Sequence, residues 1–291
     1  MRYAATLVLA LLLLPAARAQ EKTFDSGGVK LAYLDQGEGE AVVLLHGFTL
    51  SAEEMWTKMP LTETQFLPAL KGYRVLALDQ RGHGRSGKPH DPKMYGKEMA
   101  EDVVRLLDHA KVKKAHVVGY SMGAFVAGKL LVTHPDRLLS VTFGGGGPLF
   151  QPPQTFADTI TATAESLEKG KGIGPLIVAL TPDGQEKPSL EQAAAFSDLF
   201  LGKKDQKALA AVLRGRAGWQ VTEAELRANK VPVQFVYGSR EVQGLKDIIA
   251  GSRRALPRAG VVVVEKGDHG SSFATPEFRR AVVDFLRANK E

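Results

Sequence analysis

The sequence predicts an α/β protein with a mostly parallel central sheet flanked by helices. Its short apolar runs, rich in β-branched residues and bounded by glycine, are typical of buried strands. Stretches with helical spacing of apolar residues lie between these runs. Because strands that alternate with helices form βαβ units, we expect a sheet covered on both faces. The predicted strands cover residues 29–37, 41–47, 73–79, 115–119, 138–147, 231–238 and 260–267.

The same alternation divides the chain into a core and an insertion. The clearest predicted helices cover residues 97–110, 123–134 and 278–289. From about Pro148 to Lys230 no run has the character of a strand. Helical stretches in this region are predicted near residues 155–169, 190–201 and 204–215. We therefore expect a helical cap at 148–230, inserted into a core made of residues 20–147 and 231–291.

The first nineteen residues differ in kind from the rest. Arg2 precedes an apolar run from Ala4 to Leu14, and Ala17-Arg18-Ala19 forms an A-x-A cleavage site before Gln20. This pattern predicts a secretory signal peptide over residues 1–19, with export to the periplasm or the medium after cleavage. A retained N-terminal anchor is the alternative. The apolar run is shorter than the about 20 residues that span a bilayer, so no membrane attachment is expected after cleavage.

Composition and short motifs exclude several classes of function. The net charge is +6, but basic residues are interleaved with acidic ones, which disfavours a nucleic-acid surface. No cysteine is present, so the chain has no thiolate metal site or cysteine nucleophile. The stretch Gly82–Pro89 resembles a phosphate loop, but Pro89 lacks the hydroxyl that binds magnesium. The histidines show no paired metal-binding spacing, and we expect neither a cofactor nor a metal.

Ser121 is the candidate nucleophile. It lies in Gly119-Tyr-Ser-Met-Gly123, which directly follows a predicted strand and opens a predicted helix. The pattern G-x-S-x-G in this context forms a tight strand-to-helix turn, in which small residues let the strand and helix close together. At the start of a helix, free N–H groups also favour developing negative charge near the serine.

A base and an acid are expected at the ends of two later strands. His269 follows the last predicted strand and precedes the C-terminal helix, a position suited to a general base. Glu241 follows the strand before it and is the preferred acid for orienting the imidazole. Asp247 is the alternative acid, whereas Asp268 is poorly placed to grip the ring of its own neighbour. The order Ser, Glu, His fits a sheet of this kind.

Two backbone N–H groups are expected to stabilise an oxyanion. One belongs to Phe48, in the turn His46-Gly47-Phe48 after the second predicted strand, and the other to Met122, which follows the nucleophile. His46 could itself be a base, but we interpret it as bracing this loop through hydrogen bonds.

Five stretches make the chain resemble the α/β-hydrolase superfamily, from about residue 28 to residue 289. They are LLHGF at 44–48, LDQRGHGRSGKP at 78–89, GYSMG at 119–123, the Gly238–Glu241 stretch and GDHGSSFATPEF at 267–278. Within the superfamily, the chain looks most like esterases and cofactor-free haloperoxidases with a serine nucleophile. The resemblance implies the α/β-hydrolase fold, with the helical cap inserted after its sixth strand.

The resemblance also implies roles for individual residues. Ser121, Glu241 and His269 would form the catalytic triad, with oxyanion donors at Phe48 and Met122. Asp79, Arg81 and His83, in the RGHGRS region, would be structural. Haloalkane dehalogenases and epoxide hydrolases of this fold carry an aspartate at the nucleophile position, where this chain has Ser121. Two departures are Glu241, where aspartate is usual, and a longer connection between Ser51 and Lys71.

The function expected from these observations is hydrolysis of small to medium carboxylic esters through an acyl-enzyme. Amide, lactone or carbon–carbon bond hydrolysis by the same triad remains open, as does a non-catalytic binding protein on this scaffold. A small-molecule substrate would enter a pocket lined by the cap. The candidates for that lining are Leu149, Phe150, Phe156, Phe196 and Phe200.

Overall fold

The computed structural model describes residues 20–57 and 66–291. The predicted signal peptide at 1–19 lies outside the described residues and stays a prediction. Part of the longer connection between Ser51 and Lys71 also falls outside them.

A single sheet of eight strands forms the centre of the structure. Its strand order is β1-β2-β4-β3-β5-β6-β7-β8. Strands β3 to β8 are parallel to one another, whereas β2 runs antiparallel to both of its neighbours at one end of the sheet. The predicted mostly parallel sheet is therefore confirmed. The strands are β1 (Gln20–Ser26), β2 (Val29–Gln36), β3 (Glu40–Leu45), β4 (Tyr73–Leu78), β5 (Ala115–Tyr120), β6 (Leu138–Gly144), β7 (Val233–Gly238) and β8 (Gly260–Val264).

Ten α-helices accompany the sheet in the described part of the chain. They are α1 (Ala52–Trp56), α2 (Lys97–His109), α3 (Met122–Thr133), α4 (Gln154–Glu168), α5 (Gly174–Leu180), α6 (Leu190–Leu201), α7 (Gln206–Arg214), α8 (Glu223–Arg227), α9 (Gln243–Ala255) and α10 (Pro276–Ala288). Helices α2, α3 and α9 bury their apolar sides on one face of the sheet, and α1 and α10 on the other. Coverage of both faces explains why β3 and β5 are continuous apolar runs. No helix in residues 20–57 and 66–291 has both the length and the apolar character needed to cross a bilayer.

Helices α4 to α8 form the insertion, which leaves the core after β6 and returns to it at β7. The insertion has a small apolar core of its own, to which Leu167, Leu201 and Leu209 contribute. Its first and last parts meet where Leu149 pairs with Gln220 in an isolated parallel bridge. The predicted helical cap after the sixth strand is therefore confirmed as an element of the fold.

In the described residues, two hydrogen bonds between side chains join the insertion to the core. Lys204 lies 2.8 Å from Glu54 of α1, and the imidazole of His90 lies 2.9 Å from Asp205. Both contacts connect the turn between α6 and α7 to the core, one at α1 and the other at the segment between β4 and α2. Because these side chains are partly exposed, each contact contributes little stability and mainly fixes position.

Candidate active site

Ser121 lies at the junction of β5 and α3 with a strained backbone. Its φ is 53° and its ψ is −115°, a combination that costs a non-glycine residue on the order of 1–3 kcal/mol. The Ser121 amide donates to the Gly144 carbonyl of β6 at 2.8 Å, which ties the turn to the neighbouring strand. The side chain is partly exposed, so the turn presents the hydroxyl to the outside of the sheet.

Two glycines permit this turn because the backbone closes tightly around it. A Cβ on Gly119 would lie 2.2 Å from the Gly123 carbonyl oxygen, and one on Gly123 would lie 2.2 Å from the Leu45 carbonyl oxygen. Real Cβ atoms do not approach backbone oxygens so closely, and the backbone here has little room to move. The glycines therefore hold α3 against β3 and β5 and fix the position of Ser121.

Replacing Gly123 by alanine is expected to lower the free energy of unfolding by about 1–3 kcal/mol, because the new methyl group overlaps the Leu45 carbonyl. Gly244→Ala is the matched control, since among the described residues no atom outside the neighbouring helix backbone lies within 4 Å of its Cβ position in α9. That control should raise the free energy of unfolding by about 0.4–1 kcal/mol. Urea denaturation of the two variants checks both values. Equal stability of Gly123→Ala and the unmodified protein would contradict the close packing.

Three side chains from distant parts of the sequence form one line of hydrogen bonds. His269 Nε2 lies 2.9 Å from Ser121 Oγ, and His269 Nδ1 lies 3.1 Å from Glu241 Oε2. A carboxylate only accepts, so Nδ1 carries the proton and donates it to Glu241. Nε2 is then left as the acceptor for the Ser121 hydroxyl. Parallel strands end at the same edge of a sheet, which is why the loops after β5, β7 and β8 converge there.

Glu241 is the carboxylate that reaches His269. It is fully buried, and its second oxygen accepts from the Val242 amide at 3.1 Å. Asp247, the alternative acid, is exposed on α9, where it accepts from Gln243 at 2.6 Å. Asp268 accepts from the amides of its own loop, including Ser271 at 2.9 Å. The geometry therefore brings Glu241, and neither aspartate, into contact with the imidazole.

The surroundings of His269 raise its pKa above the usual value of 6.5. Burial by itself disfavours the charged ring, but the negative charge and hydrogen bond of Glu241 outweigh it. Tyr120 adds a second contact, because its hydroxyl donates to the His269 carbonyl at 2.7 Å. The Tyr120 hydroxyl stays protonated, since burial raises its pKa well above 10.0. Tyr120 thus fixes the loop that carries His269, a role that its place inside G-x-S-x-G does not reveal.

The predicted oxyanion donors lie beside Ser121. The turn after β3 passes so close that a Cβ on Gly47 would lie 3.6 Å from the Ser121 Cβ. In the described part of the chain, neither the Phe48 amide nor the Met122 amide donates to another protein group. Two free N–H groups close to a hydroxyl can hold a negatively charged oxygen.

His46 braces the turn that carries Phe48. Its Nε2 accepts from the Gln80 amide at 3.1 Å, and its Nδ1 donates to the Gly47 carbonyl at 2.8 Å. The ring is fully buried, and burial lowers its pKa. Both ring nitrogens are therefore occupied by the backbone, and neither reaches Ser121.

The RGHGRS region shapes the neighbouring loop. Buried Asp79 accepts from the Ala52 amide at 2.8 Å and from the Arg85 amide at 2.9 Å. Arg81 forms a buried pair with Asp102, which holds the loop against α2. His83 is buried beside the His46 ring, with 5.2 Å between ring centroids. These contacts are structural, and the region contributes no group to the Ser121 site.

The hydroxyl of Ser121 opens into an apolar cavity of about 220 Å³ between the core and the insertion. Of the residues proposed from the sequence, Leu149, Phe156 and Phe200 line it. Phe150 does not line it, because its buried ring lies against Gly251 of α9. Phe196 does not line it either and is 52% exposed on α6. The lining residues that sequence reasoning missed include Arg216 and Trp219.

Within the described residues, no group of three or more histidine, aspartate or glutamate side chains is arranged to hold a metal ion. The polar groups of the cavity wall near Ser121 are hydroxyls, amides and an imidazole. These groups suit attack on a carbonyl group with proton transfer.

Comparison with known proteins agrees with the fold described above. Residues 40–172 match the sequence model of a family described as having the alpha/beta hydrolase fold. The chain is 42% identical over 129 residues to epoxide hydrolase B of Mycobacterium tuberculosis, which covers 42% of this chain and 34% of that protein. The chain thus spans about a third of the length of the curated relatives that it matches.

Solved structures extend the likeness to nearly the whole chain. The bromoperoxidase from Bacillus anthracis has a TM-score of 0.73 at 21% identity, covering 92% of this chain and 100% of its own. Est816, described as an N-acyl homoserine lactone degrading enzyme, has a TM-score of 0.67 at 24% identity, covering 92% and 99%. The match to the family model and the likeness to these structures show that this chain has the α/β-hydrolase fold. The resemblance to the α/β-hydrolase superfamily is confirmed.

Proposed function

We propose that the protein is a serine hydrolase that cleaves carboxylic esters through an acyl-enzyme. The observation that carries the proposal is the unbroken line of hydrogen bonds from Glu241 through His269 to Ser121, which ends at an apolar cavity. A serine hydroxyl is a weak nucleophile at its ordinary pKa and needs a neighbouring base of this kind. The cavity supplies space for an apolar acyl or alcohol group.

In the first half of the reaction, His269 Nε2 takes the proton of Ser121 as the oxygen attacks the ester carbonyl. The carbonyl oxygen becomes an anion, which the Phe48 and Met122 amides stabilise. Each such donor is worth about 2.7–4 kcal/mol in the transition state. The imidazolium then gives its proton to the leaving alcohol, and the C–O bond of the ester breaks. Glu241 stabilises the positive ring and holds it in the tautomer that can accept.

In the second half, water replaces the alcohol. His269 removes a proton from water, which attacks the acyl carbon and again places an anion between the two amides. The bond to Ser121 Oγ breaks, the serine recovers its proton from the ring, and the carboxylic acid leaves. The enzyme returns to its starting state without a cofactor or metal entering any step.

Epoxide hydrolysis is disfavoured on chemical grounds, although epoxide hydrolase B is among the relatives. Attack of the Ser121 oxygen on an epoxide carbon would form an ether. An ether has no carbonyl for water to attack, so the site could not release the product and turn over. An ester or another acyl compound gives an acyl-enzyme that water can cleave.

Active-site labelling tests the proposal most directly. A fluorophosphonate should react with the protein, and peptide mapping should locate the label on the peptide that contains Ser121. The protein is then tested on a panel of p-nitrophenyl esters, lactones, anilides and styrene oxide, of which we expect it to hydrolyse the p-nitrophenyl esters. Labelling without turnover of any acyl compound would support a binding protein instead. Faster turnover of lactones or amides than of esters would change the proposed substrate class but not the proposed triad.

The pH dependence follows from the state of His269. The ring acts as a base only when neutral, and its pKa is raised above 6.5 because the Glu241 charge outweighs burial. We therefore expect kcat/KM for p-nitrophenyl butyrate to rise with pH and to reach half its plateau above pH 6.5. Steady-state rates across a buffer series measure this midpoint. A profile that falls over that range would exclude His269 as the base.

A further inference from the structure

One wall of the apolar cavity carries two hydrogen-bond donors. They are Arg216 and Trp219, from the short 3₁₀ helix Gly215–Trp219 that follows α7. Side chains three residues apart eclipse one another in a 3₁₀ helix, so both point to the same side. No aspartate or glutamate is among the described residues that line the cavity.

Arg216 has no carboxylate partner. Its guanidinium donates to the Leu213 carbonyl at 3.3 Å and to the Thr161 hydroxyl at 3.1 Å, and in residues 20–57 and 66–291 no acidic oxygen lies within 4.0 Å of it. The neighbouring Arg214 differs, because it makes a two-pronged contact with Glu168 at 2.9 Å. Burial, followed by the charge of Arg214, lowers the pKa of Arg216. A guanidinium without an opposing charge is expected to show this direction.

Trp219 has a donor without an acceptor. Its side chain is 3% exposed, and in the described part of the chain its indole N–H has no hydrogen-bond partner. The ring is held in place by stacking on Phe125, with 6.1 Å between ring centroids. An unsatisfied buried N–H costs about 1–3 kcal/mol. Because Trp219 lines the cavity, a ligand whose acceptor reached this N–H would remove that cost.

We propose that the substrate carries a carboxylate, which Arg216 and Trp219 bind while Ser121 attacks a separate acyl carbon. This inference rests on the proposed ester hydrolysis and names its substrate class. A carboxylate accepts from a guanidinium in two-pronged geometry and has a lone pair left for the indole N–H. The remaining wall is mostly apolar, including Ile160, Leu176 and Phe156, and suits the carbon chain between the two ends.

Matched ester pairs test the proposal. The first pair is p-nitrophenyl hydrogen glutarate and p-nitrophenyl methyl glutarate, which place the charge on the acyl side or remove it. The second pair is para-acetoxybenzoate and its methyl ester, which place the charge on the alcohol side or remove it. Hydrolysis of this pair is measured by the release of acetate. In at least one pair, we expect kcat/KM for the charged member to exceed that for the neutral member by about 10-fold or more.

Variants identify the groups responsible. Arg216→Met should lower this charged-to-neutral ratio by about 10-fold, because it removes a charged hydrogen bond. Trp219→Phe should lower it by a smaller factor, since the ring that packs on Phe125 remains. Arg214→Met removes the same charge from a side chain that does not line the cavity and should leave the ratio unchanged. Both rates come from one preparation, so partial misfolding of a variant cancels in the ratio.

Two results would overturn the proposal, and they differ. If Arg216→Met hydrolyses both pairs with the ratios of the unmodified protein, the carboxylate site is wrong and ester hydrolysis stands. If the unmodified protein hydrolyses none of the four esters, the proposed ester hydrolysis fails, and the carboxylate site fails with it.

Discussion

Replacing Ser121 by alanine is expected to lower kcat for p-nitrophenyl acetate and butyrate by about 10⁴-fold or more. The variant keeps the imidazole, the carboxylate and the two free amides but lacks the oxygen that forms the acyl-enzyme. Only the binding and electrostatic parts of the site would remain, and these give a small residual rate. Initial rates at saturating ester, with the enzyme concentration taken from absorbance, measure the loss.

The control is Ser166→Ala, on α4, because Ser166 does not line the cavity. That variant should retain full activity, and both variants should show the circular dichroism of the unmodified protein. Alanine at position 121 must adopt the same strained φ of 53° that serine already has, so the turn itself should survive. Turnover that persists in Ser121→Ala would refute the assignment of the nucleophile.

Glu241→Gln is expected to lower kcat by about 10³–10⁴-fold. Glutamine has nearly the shape of glutamate, but its NH₂ group can donate to His269 Nδ1. That contact favours the tautomer with the proton on Nε2, which cannot accept from the Ser121 hydroxyl. The loss of the negative charge also removes the main stabilisation of the imidazolium, so the midpoint of the pH profile should move to lower pH.

Asp247→Asn provides the matched control for this change. It makes the same carboxylate-to-amide replacement on an exposed residue of α9 whose partner is Gln243. Its kcat and its pH profile should equal those of the unmodified protein. A large loss in Asp247→Asn, with normal activity in Glu241→Gln, would show that Glu241 is not the triad acid.

The sequence predicted most of the sheet because burial on both faces leaves a strong local pattern. The runs at 41–47 and 115–119 overlap β3 and β5, whose residues are almost all buried. The strand β1 gave no such pattern. Its residues QEKTFDS are mostly polar, since it lies at the edge of the sheet and buries little beyond Phe24 and Ser26. Pairing with β2 along its whole length holds it in place, and this is a tertiary contact.

For the site, too, the sequence predicts some residues and not others. Ser121, Glu241 and His269 could be proposed from the sequence because each follows a recognisable strand, and strand ends meet at one edge. The cavity wall could not, because it depends on how the helices of the insertion pack. Phe196 and Phe200 lie four residues apart on α6 with 5.4 Å between their rings, yet only Phe200 lines the cavity. Arg216 and Trp219 have no sequence signal, because what marks them is three-dimensional: among the described residues Arg216 has no carboxylate partner and the Trp219 N–H has no acceptor.

The insertion is one unbroken segment whose two ends come together beside the sheet, at the Leu149–Gln220 bridge. The three hydrogen-bonded side chains come from the core alone, whereas much of the cavity wall comes from this segment. Under the proposed function, the catalytic groups and the residues that select the substrate are thus encoded in separable stretches of sequence. We therefore expect a chimaera that exchanges this stretch between two such proteins to change which molecules are accepted while the catalytic groups stay in place. Evolution and enzyme engineering could then vary selectivity by changing one continuous segment.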